Sequence, residues 1–113
     1  MFGHERFEAY QISIRFLKIA LHLVESMPEG YSVVKDQFKR AALSIPLNIA
    51  EGSGKHQVRE RNRYYGIARG SAMECAAIFD VLGLIEHKDY QMAVGAKDLL
   101  KQVVSILTTV CST

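Results

Sequence analysis

Residues 44–55 read SIPLNIAEGSGK, and the fold turns on whether this stretch is a catalytic loop or a bent helix. Its last four letters resemble the end of a phosphate-binding loop. That loop needs Gly-x-x-x-x-Gly-Lys-Ser/Thr after a strand. Gly54 and Lys55 fit, but Ile49 stands where the leading glycine belongs, His56 follows Lys55, and the upstream residues repeat with a helical period. The stretch is therefore read as the end of a helix. Pro46 cannot donate to the carbonyl of Ala42 and its ring crowds that carbonyl, so a kink costing about 3 kcal/mol before compensation is expected there. Gly52, Ser53 and Gly54 are expected to form the end of this helix and the turn into the next, with glycine in the left-handed conformation that closes a helix at low cost. Asn48 and Glu51, three apart on one face, are expected to bond backbone groups at that turn or to pair with the arginines beyond it. A lone carboxylate and an amide without a nucleophile or second acid do not make a reaction, so this is a structural assignment.

Working outward, the chain divides into four amphipathic segments. In the first, Phe7, Tyr10, Ile14, Leu17, Leu21 and Val24 alternate by three and four, with a second stripe of Ile12, Phe16, Ile19, Leu23 and Met27. Pro28, Glu29 and Gly30 stop it, and Ser32 is placed to cap the next helix. The second carries Val34, Phe38, Ala41, Ile45 and Ile49, flanked by Leu43, Leu47 and Ala50. The third carries Tyr65, Ala68, Ala72, Cys75, Phe79 and Leu82, flanked by Ile67, Ile78, Val81 and Ile85, and Gly83 is a natural stop. After Asp89, a candidate cap, the fourth carries Met92, Ala96, Leu99, Val103, Ile106 and Val110. No segment has a convincing period of two. The spacing predicts helices over about 5–27, 33–52, 57–82 and 89–111 in a single domain spanning 1–113. Short links between them give an all-α, antiparallel up-down-up-down four-helix bundle. Helices 1, 3 and 4 have more apolar surface than one interior seam needs, so a homo-oligomer is expected.

Length and composition fit that architecture. The 113 residues, 49% of them hydrophobic, supply one modest core. No apolar run approaches the roughly 18 residues needed to cross a bilayer, and the charged N-terminus MFGHERFEAY does not resemble a signal peptide, so a cytoplasmic, non-membrane protein is expected. Cys75 and Cys111 form no CxxC and are expected to be reduced, packed thiols. The four histidines show no HxxxH or HExxH spacing, so neither a metal nor another cofactor is expected.

The net charge of +2 conceals a concentration of positive charge. Residues 35–69 hold eight Lys/Arg and three Asp/Glu, against a net −1 before them and −2 after. Within KHQVRERNRYYGIARGS, residues 55–71, the cations and the aromatic pair Tyr64 and Tyr65 raise the possibility of phosphate contact and base stacking. Tyr65 lies on the core stripe, which leaves Tyr64 to stack. The competing reading gives these arginines carboxylate partners on neighbouring helices or subunits. Gly66 and Gly70, one turn apart in a helix, each cost about 1 kcal/mol relative to alanine. They open a small-residue groove, continued by Ala77, in which another backbone can approach; a neighbouring helix is the expected occupant, with a second subunit as the alternative.

QFKRAALSIPLNIAEGSGK together with RYYGIARGSAMEC resembles the four-helix-bundle family named for proteins encoded in intervening sequences of bacterial 23S ribosomal RNA genes. That family is taken to include the accessory variability protein of diversity-generating retroelements. The matching positions are Arg40, Ala41, Ala42, Ser44, Ile45, Pro46, Asn48, Ile49, Ala50, Glu51 and Gly52, then Ile67, Ala68, Arg69, Gly70, Ser71 and Glu74. The first helix departs from the family's usual opening, with Tyr10 where a tryptophan is usual. The resemblance implies a four-helix protomer, a ring-like homopentamer, no known enzymatic activity and, in some members, RNA binding through a basic surface. The expected function is non-enzymatic nucleic-acid binding, with phosphate contacts from Lys35, Lys39, Arg40, Lys55, Arg59, Arg61, Arg63 and Arg69. The alternative is an interaction scaffold for a protein such as a reverse transcriptase, without direct nucleic-acid contact.

Overall fold

Proline and glycine punctuate the first half of the chain. Helix α1, Glu8–Ser26, ends two residues before Pro28, and Gly30 takes a φ of +96°, the one positive φ among the described residues. The computed structural model describes residues 2–83 and 90–112, with the side chains of residues 90–94 outside the description. After a single 3-10 turn, Gly3–Arg6, come α1, α2 (Ser32–Ser53), α3 (Val58–Leu82) and α4 (Tyr90–Cys111), with no strand among the described residues. The helices form an elongated four-helix bundle of 45 × 22 × 20 Å. The expected cap Asp89 and the flanking Ile85 lie outside the described residues, as does the side chain of Met92.

The starts of the helices differ from expectation in small ways. Phe7 is extended, so the first helix begins at Glu8 rather than near residue 5. Ser32 is the first helical residue, not the cap; Tyr31 holds that place with no side-chain hydrogen bond to the helix. Helix α2 runs on through Pro46, whose ring is fully buried. Gly52 is a buried residue of the last helical turn, and the helix runs on to Ser53, one residue beyond the expected end. Gly54 closes the helix at φ −87°, so no left-handed glycine is used there. Gly83 likewise ends α3 at φ −64°. In each case the carbonyls of the last turn are met by the next backbone N–H in right-handed geometry, as where Gly54 N–H reaches Ala50 and Glu51.

Burial exchanges the two stripes of α1. Ala9, Ile12, Ser13, Phe16, Ala20, Leu23 and Val24 face inward, whereas Ile14 and Leu21, members of the stripe placed first by spacing, are more than two-fifths exposed. Hydropathy favours the larger side chains. Packing favours the stripe with Ala9, Ser13 and Ala20, because small residues let neighbouring helices come close, and the buried Ser13 hydroxyl is satisfied by donating to the Tyr10 carbonyl at 2.7 Å. Helix α2 buries Phe38, Ala41, Ala42, Ile45 and Ile49 and leaves Leu43 and Leu47 exposed. Helix α3 buries its expected stripe from Tyr65 to Leu82, with Ile67 and Val81 outside it. Helix α4 contributes Ala96, Leu99, Leu100, Val103 and Leu107. At the centre, Phe16, Phe38 and Phe79 meet edge to face, with ring centroids 5.4–6.2 Å apart.

Candidate nucleic-acid interface

The polar edges of α2 and α3 meet in a seam. Ser53 and Tyr65 hydroxyls lie 2.8 Å apart, Ser71 Oγ donates to Ser44 Oγ at 2.8 Å, and Gln37 Nε2 donates to Glu74 Oε2 at 2.6 Å. Partner numbers thus fall along α2 as they rise along α3. Asn48 turns back one helical turn, its Nδ2 donating to the Ser44 carbonyl at 2.8 Å and to Ser44 Oγ at 2.9 Å. It does not reach the turn, and Glu51 finds Lys55 at 3.6 Å rather than an arginine. Both differences have one reason: a partner one helical turn away costs less ordering than one across a turn.

The eight cations named from the sequence fall into three groups. Lys39, Lys55 and Arg63 sit in ion pairs with residues three or four positions away, Asp36, Glu51 and Glu60, at 4.0, 3.6 and 2.9 Å. Arg61 and Arg69 turn to α4. Arg61 Nη2 donates to the Val110 carbonyl at 3.5 Å, alongside Asn62 Nδ2 on the Cys111 carbonyl, so the pair supplies donors to carbonyls of the last turn of that helix. Arg69 Nε donates to Thr108 Oγ1 at 2.7 Å. The side chains of Lys35, Arg40 and Arg59 have no hydrogen bond or ion pair among the described residues.

Tyr64 is half-buried with two cations over its ring, the Arg63 guanidinium 4.4 Å and Lys55 Nζ 5.1 Å from the centroid. A base stacking there would have to displace at least one of them. The hydrogen bond from Arg63 holds the Glu60 carboxyl below its ordinary range; desolvation opposes it, and the charges of Arg63, Lys55 and Arg59 add to it. The same bond, donated to Glu60, raises the Arg63 guanidinium further.

The glycines separate by environment. A Cβ at Gly52 would lie 2.7 Å from Tyr65 Cδ1 and 3.0 Å from the Arg61 carbonyl oxygen, so this glycine exists for close approach of α2 to α3. At Gly66 and Gly70 a Cβ would meet nothing within 4 Å, and both are exposed, as is Ala77. No helix of the protomer fills the small-residue groove; of the two occupants considered, a neighbouring helix is ruled out among the described residues. The Ser44–Ser71 bond and the role of Arg61 and Asn62 at the end of α4 have no signal in the sequence, since helix spacing relates residues three or four apart and these partners lie 27 and 49 apart.

Among the described residues no helix is long and apolar enough to cross a membrane, and no group of three or more His, Cys, Asp or Glu could hold a metal ion. Cys75 is buried and Cys111 half-buried, both free thiols. Against this geometry, the family model described as 23S rRNA-intervening sequence protein matches residues 5–109, and the chain belongs to that family. No curated protein matches it.

Proposed function

We propose that this member of the 23S rRNA-intervening sequence protein family is a non-enzymatic, RNA-binding homo-oligomer, built of antiparallel up-down-up-down protomers and assembling as a ring-like homopentamer. The observation that carries the RNA reading is that the side chains of Arg40 and Arg59, with Lys35, make no hydrogen bond or ion pair among the described residues, on helices that also bear the family's motif. Around them, the ion pairs of Lys39, Lys55 and Arg63 are short-range and open to solvent screening, so a phosphate can replace the carboxylate at little cost. The family's name supplies the link to ribosomal RNA. Exposed Leu43 and Leu47 on α2, Ile67 on α3, and Ile14 and Leu21 on α1 support self-association, which would repeat weak phosphate contacts around a ring.

The test is a titration of single-stranded and hairpin RNA at two salt concentrations, with mass by light scattering. Affinity should fall steeply with salt, by about one unit of log–log slope per phosphate contacted. Arg40→Glu with Arg59→Glu should abolish binding and leave the mass unchanged. Absent binding at low ionic strength, or binding indifferent to both salt and the double substitution, rules the reading out. Dissociation of the oligomer by the double substitution would favour the scaffold reading instead, in which these arginines hold subunits or a protein partner; the engagement of Arg61 and Arg69 within the protomer is the observation on its side.

A further inference from the structure

Helices α3 and α4 leave a groove between them that the RNA reading does not use. Its cavity of about 250 Å³ is lined by Ala72, Met73 and Ala76 from α3 and Leu100 and Val104 from α4. Two alanines one turn apart recess the floor, so a side chain from outside can enter between the helices. On the rim, Lys101 has no ion pair or hydrogen bond among the described residues, and Lys97 reaches Asp80 at 3.0 Å. Farther along, Arg69 spends its Nε on Thr108 and leaves the rest of its guanidinium open. Lys97 and Lys101 thus flank an apolar floor, with Arg69 farther along; Asp80 pairs with Lys97, and Glu8 lines the adjoining surface cavity together with Lys101.

We propose that this groove docks an acidic amphipathic helix of a protein partner. From Lys97 to Thr108 the rim runs roughly 16 Å at 1.5 Å per residue, about three helical turns. A helix of that length presents aliphatic anchors at i, i+3 and i+7 to the floor and carboxylates at its flanks to the lysines. The cavity falls below the roughly 300–1,000 Å³ of small-molecule sites, which favours a few inserted side chains over a cofactor. Among the described residues no aromatic ring lines it on which a base could stack, and a phosphate backbone offers nothing to an apolar floor. The charge of the rim selects an acidic partner. The site lies on the α4 side of α3, apart from the seam with α2, and does not depend on the RNA assignment.

The probes are two fluorescein-labelled peptides of about 18 residues with the same leucine stripe, one flanked by glutamates and one by lysines, titrated against the full chain by anisotropy. The glutamate peptide should bind at least about tenfold tighter than the lysine peptide. Met73→Glu, at an exposed position, should abolish its binding without changing the circular dichroism melt. Lys101→Glu should weaken the glutamate peptide and strengthen the lysine one. Failure of both peptides to bind, equal affinity for the two, or insensitivity to Lys101→Glu overturns the proposal. So does loss of self-association on Met73→Glu, which would make the groove an interface between copies, and so does displacement of the peptide by single-stranded RNA.

Discussion

Alanine at position 52 would set its Cβ 2.7 and 2.8 Å from two ring carbons of Tyr65 and 3.0 Å from a backbone carbonyl oxygen. The ring has little room to yield: it is buried, its hydroxyl is bonded to Ser53, and Phe7 packs against it at 5.5 Å. Gly52→Ala is therefore expected to lower stability by about 1–3 kcal/mol, although alanine is the better helix former, and a urea midpoint at unchanged slope measures it. In the sequence this glycine sits in Gly-Ser-Gly and looks like a turn, because spacing reveals glycine's freedom and not the ring that needs the space. Cys75 gives a second expectation. Burial, with a smaller push from the Glu74 charge, raises its thiol to about 12 from an ordinary 9.0. The folded state therefore holds a proton that the unfolded chain releases, and the thiol's contribution is complete below pH 9 and lost as pH rises toward 12. Cys75→Ala should cost stability at pH 8, and the gap from wild type should narrow by about 1–2 kcal/mol at pH 10.5, read from urea midpoints of both proteins.

At the scale of the helix, α3 carries two glycines where its own propensity opposes them. With no atom of the described residues within 4 Å of either Cβ position beyond the adjoining backbone of α3 itself, Gly66→Ala and Gly70→Ala should each stabilise an isolated protomer by about 0.4–1 kcal/mol. If a second copy uses the bare backbone there, the same substitutions reduce the assembled mass in light scattering while raising the melting temperature of the dissociated protein. Equal or lower protomer stability would contradict the open environment of both sites. The existence of four helices was legible from period alone, and so were the inward residues of α3, where one stripe is plainly more apolar than the rest. In α1 the two stripes are near equals in hydropathy, and the decision fell to small residues such as Ala9 and Ala20, whose value is closeness and not transfer free energy.

Over the whole molecule, the cations that crowd residues 35–69 are dispersed by folding. Lys35 lies in the first turn of α2 and Lys55 just beyond its far end, with about 27 Å of helix between residues 35 and 53, and Arg61 and Arg69 are drawn to α4. Linear charge density located the helices involved but not the division of labour, because pairing across helices depends on which face each residue takes. The unpaired cations that remain are few per protomer, so recognition of a polyanion would depend on how many copies stand side by side. The edge-to-face node of Phe16, Phe38 and Phe79 bears on time rather than on binding. Its three rings come from three helices, so no helix pair can complete it, however early its own turns form. Helix formation takes about a microsecond, but the native arrangement is locked only when the third ring arrives, and it persists for as long as that ring stays.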